Sequence, residues 1–148
     1  MPTICDPTLT VHPVAGHPGQ RRVRVDYDVA CDPTDPTVGN AIVEHIVIHA
    51  VDEHDAAAQP RMTALVDTEQ TFVAAVGVQH RVFEQTLHRV DLDVEQDWWS
   101  ADQGGQPKPI AEWLDHIAAE IALHLGDELT AKATTPVVSG SWGALGHD

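Results

Sequence analysis

The chain has 148 residues, 43% of them hydrophobic, with eight Lys plus Arg against 23 Asp plus Glu and a formal net charge of −15. That length suits one domain with a substantial core, and the apolar share argues against wholesale disorder. The acidic balance repels phosphate backbones, which argues against direct nucleic-acid or anionic-membrane binding and favours basic or cationic partners.

The first residues, MPTICDPTLTVHPV, lack a basic region followed by an apolar run, and no stretch approaches ~18 apolar residues. The sequence therefore predicts a soluble chain made in the cytoplasm. Cys5 and Cys31, two lone cysteines without a CxxC pairing, read as free thiols in a reducing compartment. Pro2, Pro7, Pro13 and Pro18 point to an extended N-terminal arm over residues 1–20, because proline removes a ladder donor and favours edges.

From Arg21, RRVRVDYDVAC sets Val23, Val25, Tyr27 and Val29 against Arg24, Asp26 and Asp28. This alternation predicts a strand with one wet face. The segment DPTDPTVGN is a loop by its Asp-Pro and Gly-Asn steps. In AIVEHIVIHAVD, β-branched residues and apolar character on both faces favour a buried strand over a helix. MTALVD and TFVAAVGV read as two strands separated by a short polar turn, and HRVFEQTLHRVDLDV as a further strand with a bulge or break near His88. WWSADQGGQPKP is a loop.

A helix is expected over residues 110–125. Pro109 suits its first position and Gly126 its end, while Ile110, Trp113, Leu114, Ile117, Ile121 and Leu125 fall on one stripe at 3.6-residue spacing. DELTAKATTPVV supplies a final strand, and residues 139–148 form a tail. The predicted fold is mainly β: an antiparallel β-sandwich over residues 21–138 with one amphipathic helix near the C-terminus. The strand run from Arg21 to Val94, completed by DELTAKATTPVV, resembles an immunoglobulin-like sandwich in its spacing. It departs from that pattern in lacking paired inter-sheet cysteines around a central Trp, and in placing its sole tyrosine, Tyr27, too early for a tyrosine corner.

Four groups of residues could carry chemistry. His45 and His49 on a strand share a face but stand about 13 Å apart at ~3.3 Å per residue, too far for one zinc ion whose bonds are ~2.0–2.1 Å. Glu112, His116, Glu120 and His124 recur every four residues and would line one side of the expected helix as weak metal candidates, with zinc the natural ion. Asp26, Asp28, Asp91, Asp93, Glu95 and Asp97 offer hard oxygen ligands for calcium, without EF-hand spacing. Trp98, Trp99 and Trp142, with Leu123 opposite the helix's core stripe, are the candidate partner-binding residues. No GxSxG, phosphate loop or cysteine–histidine motif is present.

These observations favour a non-enzymatic structural subunit without a cofactor, packing with other protein subunits as a homo-oligomer or within a larger assembly. In composition and layout the chain resembles small virion proteins of tailed phages, such as decoration, connector or tail components. Two rival readings are a binding module for carbohydrate or a basic protein, and a metal-dependent enzyme. The ten histidines add a pH dimension, since protonating all of them would move the formal charge from −15 to −5.

Overall fold

In a computed structural model, residues 1–51, 64–88, 92 and 115–140 are described. They form eight strands: β1 (Thr3–Val14), β2 (His17–Cys31), β3 (Ala41–Ala50), β4 (Ala64–Val73), β5 (Gly77–His88), β6 (Asp115–Leu125), β7 (Glu128–Thr134) and β8 (Val138–Gly140). Two antiparallel sheets result, one ordered β1-β2-β5 and the other β4-β3-β6-β7, with β8 pairing the start of β6.

The alternation read in the sequence decides which side chains meet between the sheets. Val23, Val25, Tyr27 and Val29 of β2 enter one apolar cluster with Ile42, Ile46 and Ile48 of β3 and Ile117, Ile121 and Leu123 of β6. A single core shared by two sheets is the layout of a β-sandwich.

Pro7 and Pro13 lie in β1 and Pro18 in β2, neighbouring strands of the smaller sheet. β1 pairs β2 along its length, with a break in register between Cys5 and Thr8. Asp6 adopts a positive φ there, which aspartate tolerates better than most residues. Pro7, without an N–H to donate, occupies the same irregularity. Leu9 beyond it is buried in the core.

The expected C-terminal helix is corrected: Asp115–Leu125 is a strand, and no α-helix occurs among the described residues. Ile117 and Ile121 are four apart, a spacing that suits one helical face and one strand face equally. Ala119 and Leu123 complete the strand's period, and all four are buried. Ala118 and Ala122, on the other face, are buried too. Apart from Glu120, residues 117–123 are buried on both faces, and a strand buried on both faces reads as a near-continuous apolar run. Gly126, assigned to the end of a helix, has φ +60° and opens the two-residue turn between Leu125 and Glu128, a position hairpins also give to glycine.

A second correction concerns MTALVD and TFVAAVGV. β4 runs unbroken from Ala64 through the polar DTEQT to Val73, and the chain then changes sheets before Gly77. That polar stretch belongs to a strand that is at the sheet's edge among the described residues, where exposed charged and polar side chains are common.

Candidate functional site

The structure joins two groups that the sequence kept apart. On β3, Val43, His45, Val47 and His49 stand opposite His124, Ala122, Glu120 and Ala118 of β6. Directly opposed residues share a face, so the His45/His49 pair and the His116/Glu120/His124 series lie side by side on the outer face of the larger sheet. Along each strand the four-residue spacing is about 13 Å. Glu120 is the diagonal neighbour of both His45 and His49.

Most of these groups already have partners. His45 Nε2 lies 2.5 Å from Asp67 Oδ1 on β4. The Lys132 ammonium on β7 lies 3.3 Å from Glu120. His116, buried at the start of β6, has Nδ1 2.6 Å from the Ser139 hydroxyl of β8. Among the described residues no set of three His, Cys, Asp or Glu side chains converges on a point suited to a metal ion. Glu112, the first member of the series, lies outside the described residues.

The smaller sheet's outer face carries a continuous chain of charge. Arg24 donates from Nε and Nη2 to the two oxygens of Asp26, at 2.8 and 3.0 Å, and from Nη1 to Glu84 at 3.0 Å. His80 on β5 lies against Asp28 through Nδ1 at 2.8 Å and against Asp26 through Nε2 at 3.2 Å. The hydrogen bonds from Arg24 hold the Asp26 carboxyl below its ordinary range, and Asp28 raises the His80 imidazole above its own. Of the calcium candidates, Asp26 is therefore engaged by Arg24 and His80, and Asp28 by His80. Asp91, Asp93, Glu95 and Asp97 lie outside the described residues.

A third cluster lies between the sheets and was not singled out in the sequence. Glu44 of β3 is 1% exposed. It accepts hydrogen bonds from the Tyr27 hydroxyl and from Arg81 Nε at 2.9 Å, with Arg81 Nη2 at 3.3 Å from its other oxygen. The Arg81 guanidinium also stacks on the Phe72 ring, 4.4 Å from its centroid. Burial, reinforced by Glu44, drives the Tyr27 phenol far above its ordinary range. Strand parity carried the signal, since Glu44 alternates with Ile42, Ile46 and Ile48 on the inward face.

Of the candidate partner-binding residues, Leu123 is corrected: it is fully buried in the core and cannot face a partner. Trp98, Trp99 and Trp142 lie outside the described residues. The three described aromatics, Tyr27, Phe72 and Phe83, are all buried. Cys5 and Cys31 are free thiols.

No family model matches the chain, and no curated protein matches it. Solved structures do. A glycosyl hydrolase family 2 member from Bacteroides cellulosilyticus DSM 14838 aligns with 93% of this chain and 15% of its own, at TM-score 0.53 and 12% identity. A second structure of a glycosyl hydrolase family 2 member from Bacteroides cellulosilyticus gives 93% and 14%, at TM-score 0.52 and 13% identity. A putative beta-galactosidase from Bacteroides fragilis aligns with 91% of this chain and 17% of its own, at TM-score 0.56 and 10% identity. The likeness is one of fold. The chain spans about a sixth of the length of the proteins it resembles, and these are glycosidase parts, so the resemblance to tailed-phage virion proteins gains no support from them.

Proposed function

We propose that this chain is a non-catalytic, immunoglobulin-like β-sandwich module that works by binding in a carbohydrate-related setting. The observation that carries this reading is the scale of the likeness: nearly all of this chain corresponds to a small segment of much larger glycosyl hydrolases. A segment of that size, built as one sandwich, suits an accessory role beside a separate catalytic domain. The internal chemistry agrees with it, because Glu44, Arg81 and Tyr27 are spent on holding the two sheets together.

Carbohydrate recognition commonly places an indole against a sugar face. With the described aromatics buried, Trp98 and Trp99 are the residues assigned to that contact, and Trp142 to docking on a neighbouring protein surface. Affinity electrophoresis against a panel of soluble polysaccharides, run beside an aryl-glycoside turnover assay, tests the reading. Retardation by at least one polysaccharide, abolished by Trp98→Ala or Trp99→Ala in a chain that still folds, is the expected result. Turnover of any aryl glycoside by the purified chain would refute the non-catalytic assignment. Uniform mobility in every gel would refute carbohydrate binding.

A further inference from the structure

His80 stands directly opposite Asp28 on the neighbouring strand, with Asp26 one step along the same face. Both of its ring nitrogens lie within hydrogen-bonding distance of a carboxylate oxygen, Nδ1 at 2.8 Å and Nε2 at 3.2 Å. An ionised carboxylate only accepts hydrogen bonds, and a neutral imidazole has a single N–H to give. In the neutral ring, one of the two contacts would set a nitrogen lone pair against a carboxylate oxygen. The imidazolium, with two N–H groups, satisfies both.

We propose that His80 is a proton-operated latch that fastens strand β5 to β2 while its ring is charged and loosens it when the proton leaves. Among the described residues β5 pairs with β2 alone, so this cross-strand contact bears on the strand that has one neighbour.

Among the described residues, few charged and titratable groups face the latch. On β2 they are Asp26, Asp28 and Arg24. On β5 the nearest is Glu84, which is held by Arg24 at 3.0 Å. On β1, Cys5 lies opposite Asp28, and the uncharged Thr8 and Thr10 lie opposite Asp26 and Arg24. The two carboxylates that touch the ring set the sign. A base held above its ordinary value in the fold stabilises the fold fully below that ordinary value, 6.5 for histidine, and loses the contribution as pH rises through the folded value. Asp26 sets the lower limit. It is depressed from 3.8, so its share is present above that value and is lost as pH falls through the folded one. The latch is therefore closed in mild acid and opens on the alkaline side.

The test is an NMR titration of the intact chain that follows the ring nitrogens of His80, with Asp28→Asn as the variant. Two protonated ring nitrogens near neutrality and a midpoint above 6.5 are expected in the native sequence. In Asp28→Asn the midpoint should fall back, and the protection of β5 amides, taken relative to intrinsic exchange at each pH, should lose most of its change between mild acid and mild alkali. A native midpoint at or below 6.5, a single neutral tautomer at neutrality, or a midpoint indifferent to Asp28→Asn would each overturn the proposal. Should Asp28→Asn fail to fold, His80→Gln decides. It keeps a hydrogen-bonding side chain without a titrating proton, so β5 protection that no longer changes with pH, relative to intrinsic exchange, supports the latch, and protection that still falls towards alkali refutes it.

Discussion

Glu44 of β3 and Arg81 of β5 meet across the interior, joining the two sheets by hydrogen bonds from Nε and Nη2 to the two carboxylate oxygens. Their strands are not neighbours in either sheet. Together with the Tyr27 hydroxyl on the same carboxylate, the pair gives a polar tie between two layers whose shared core is mainly apolar. Removing one partner of a buried pair leaves the other uncompensated, and such changes cost about 3–5 kcal/mol. Arg81→Ala, which strands the buried Glu44 carboxylate, is expected to fall in that range by urea denaturation, and Glu44→Ala to cost less because the Arg81 side chain is 23% exposed. A double-mutant cycle with Arg81→Ala should give a coupling of at least ~1 kcal/mol. Additive single effects would show that the two side chains act independently.

Tyr27 is the only tyrosine in the chain, so its ionisation can be followed without interference. Burial and Glu44 both oppose the phenolate, which raises the folded value above the unfolded one of 10.0. The linked stability is fully present below 10.0 and is lost as pH rises beyond it. Tyrosinate absorbance should stay flat through the ordinary phenol range and appear together with unfolding. Absorbance that rises while the circular dichroism signal remains native would contradict the buried hydrogen bond.

Leu123 separates the strand from the helix experimentally. Fully buried on β6, it should cost about 2–5 kcal/mol when truncated to alanine. An exposed leucine on the back of a helix would cost almost nothing. Thermal melts of Leu123→Ala against the native sequence give the answer.

The same residue shows where the sequence was legible. Strands β2 and β3 could be read directly, because Val23 to Val29 alternate strictly and AIVEHIVIHA is crowded with β-branched side chains. β6 could not. Its alanines and leucines suit a helix by propensity, and Ile117 and Ile121 satisfy both periods. Two sheet neighbours, invisible in a linear reading, made it a strand. For the candidate site the pattern is similar. His45 and His49 were correctly placed on one face of a strand, whereas their adjacency to Glu120 and His124 depends on β3 pairing with β6, a contact more than seventy residues away along the chain. Glu44 was visible as an inward-facing residue from its alternation with isoleucines. Its partner Arg81 depends on how the two sheets stack.

The two cysteines should differ in reactivity. Cys31 is buried, and its thiol is held above the ordinary value by burial and by Asp35, which lowers the thiolate fraction. Cys5 is partly exposed on β1. A thiol reagent should label Cys5 quickly in the native chain and Cys31 only after denaturant is added. Equal labelling rates would place Cys31 at the surface.

Acid should weaken the smaller sheet through Asp26. Its carboxyl is held below 3.8 chiefly by Arg24, so the stabilisation it brings is present above that value and lost as pH falls further. The melting temperature of Asp26→Asn should be lower than native near pH 6, and the difference should narrow towards pH 2. A gap that stays constant over that range would mean that the carboxylate charge is not involved.

The irregularity at Asp6 and Pro7 bears on how the smaller sheet meets other molecules. A strand at the rim of a sheet offers a row of unpaired amides to any extended chain that drifts alongside. Among the described residues β1 is such a strand, and it interrupts that row. Its register breaks between Cys5 and Thr8, and Pro7 and Pro13 contribute no amide hydrogens. An incoming strand would lose its ladder within a few residues, so this rim makes a poor seed for ordered aggregates even in concentrated solution.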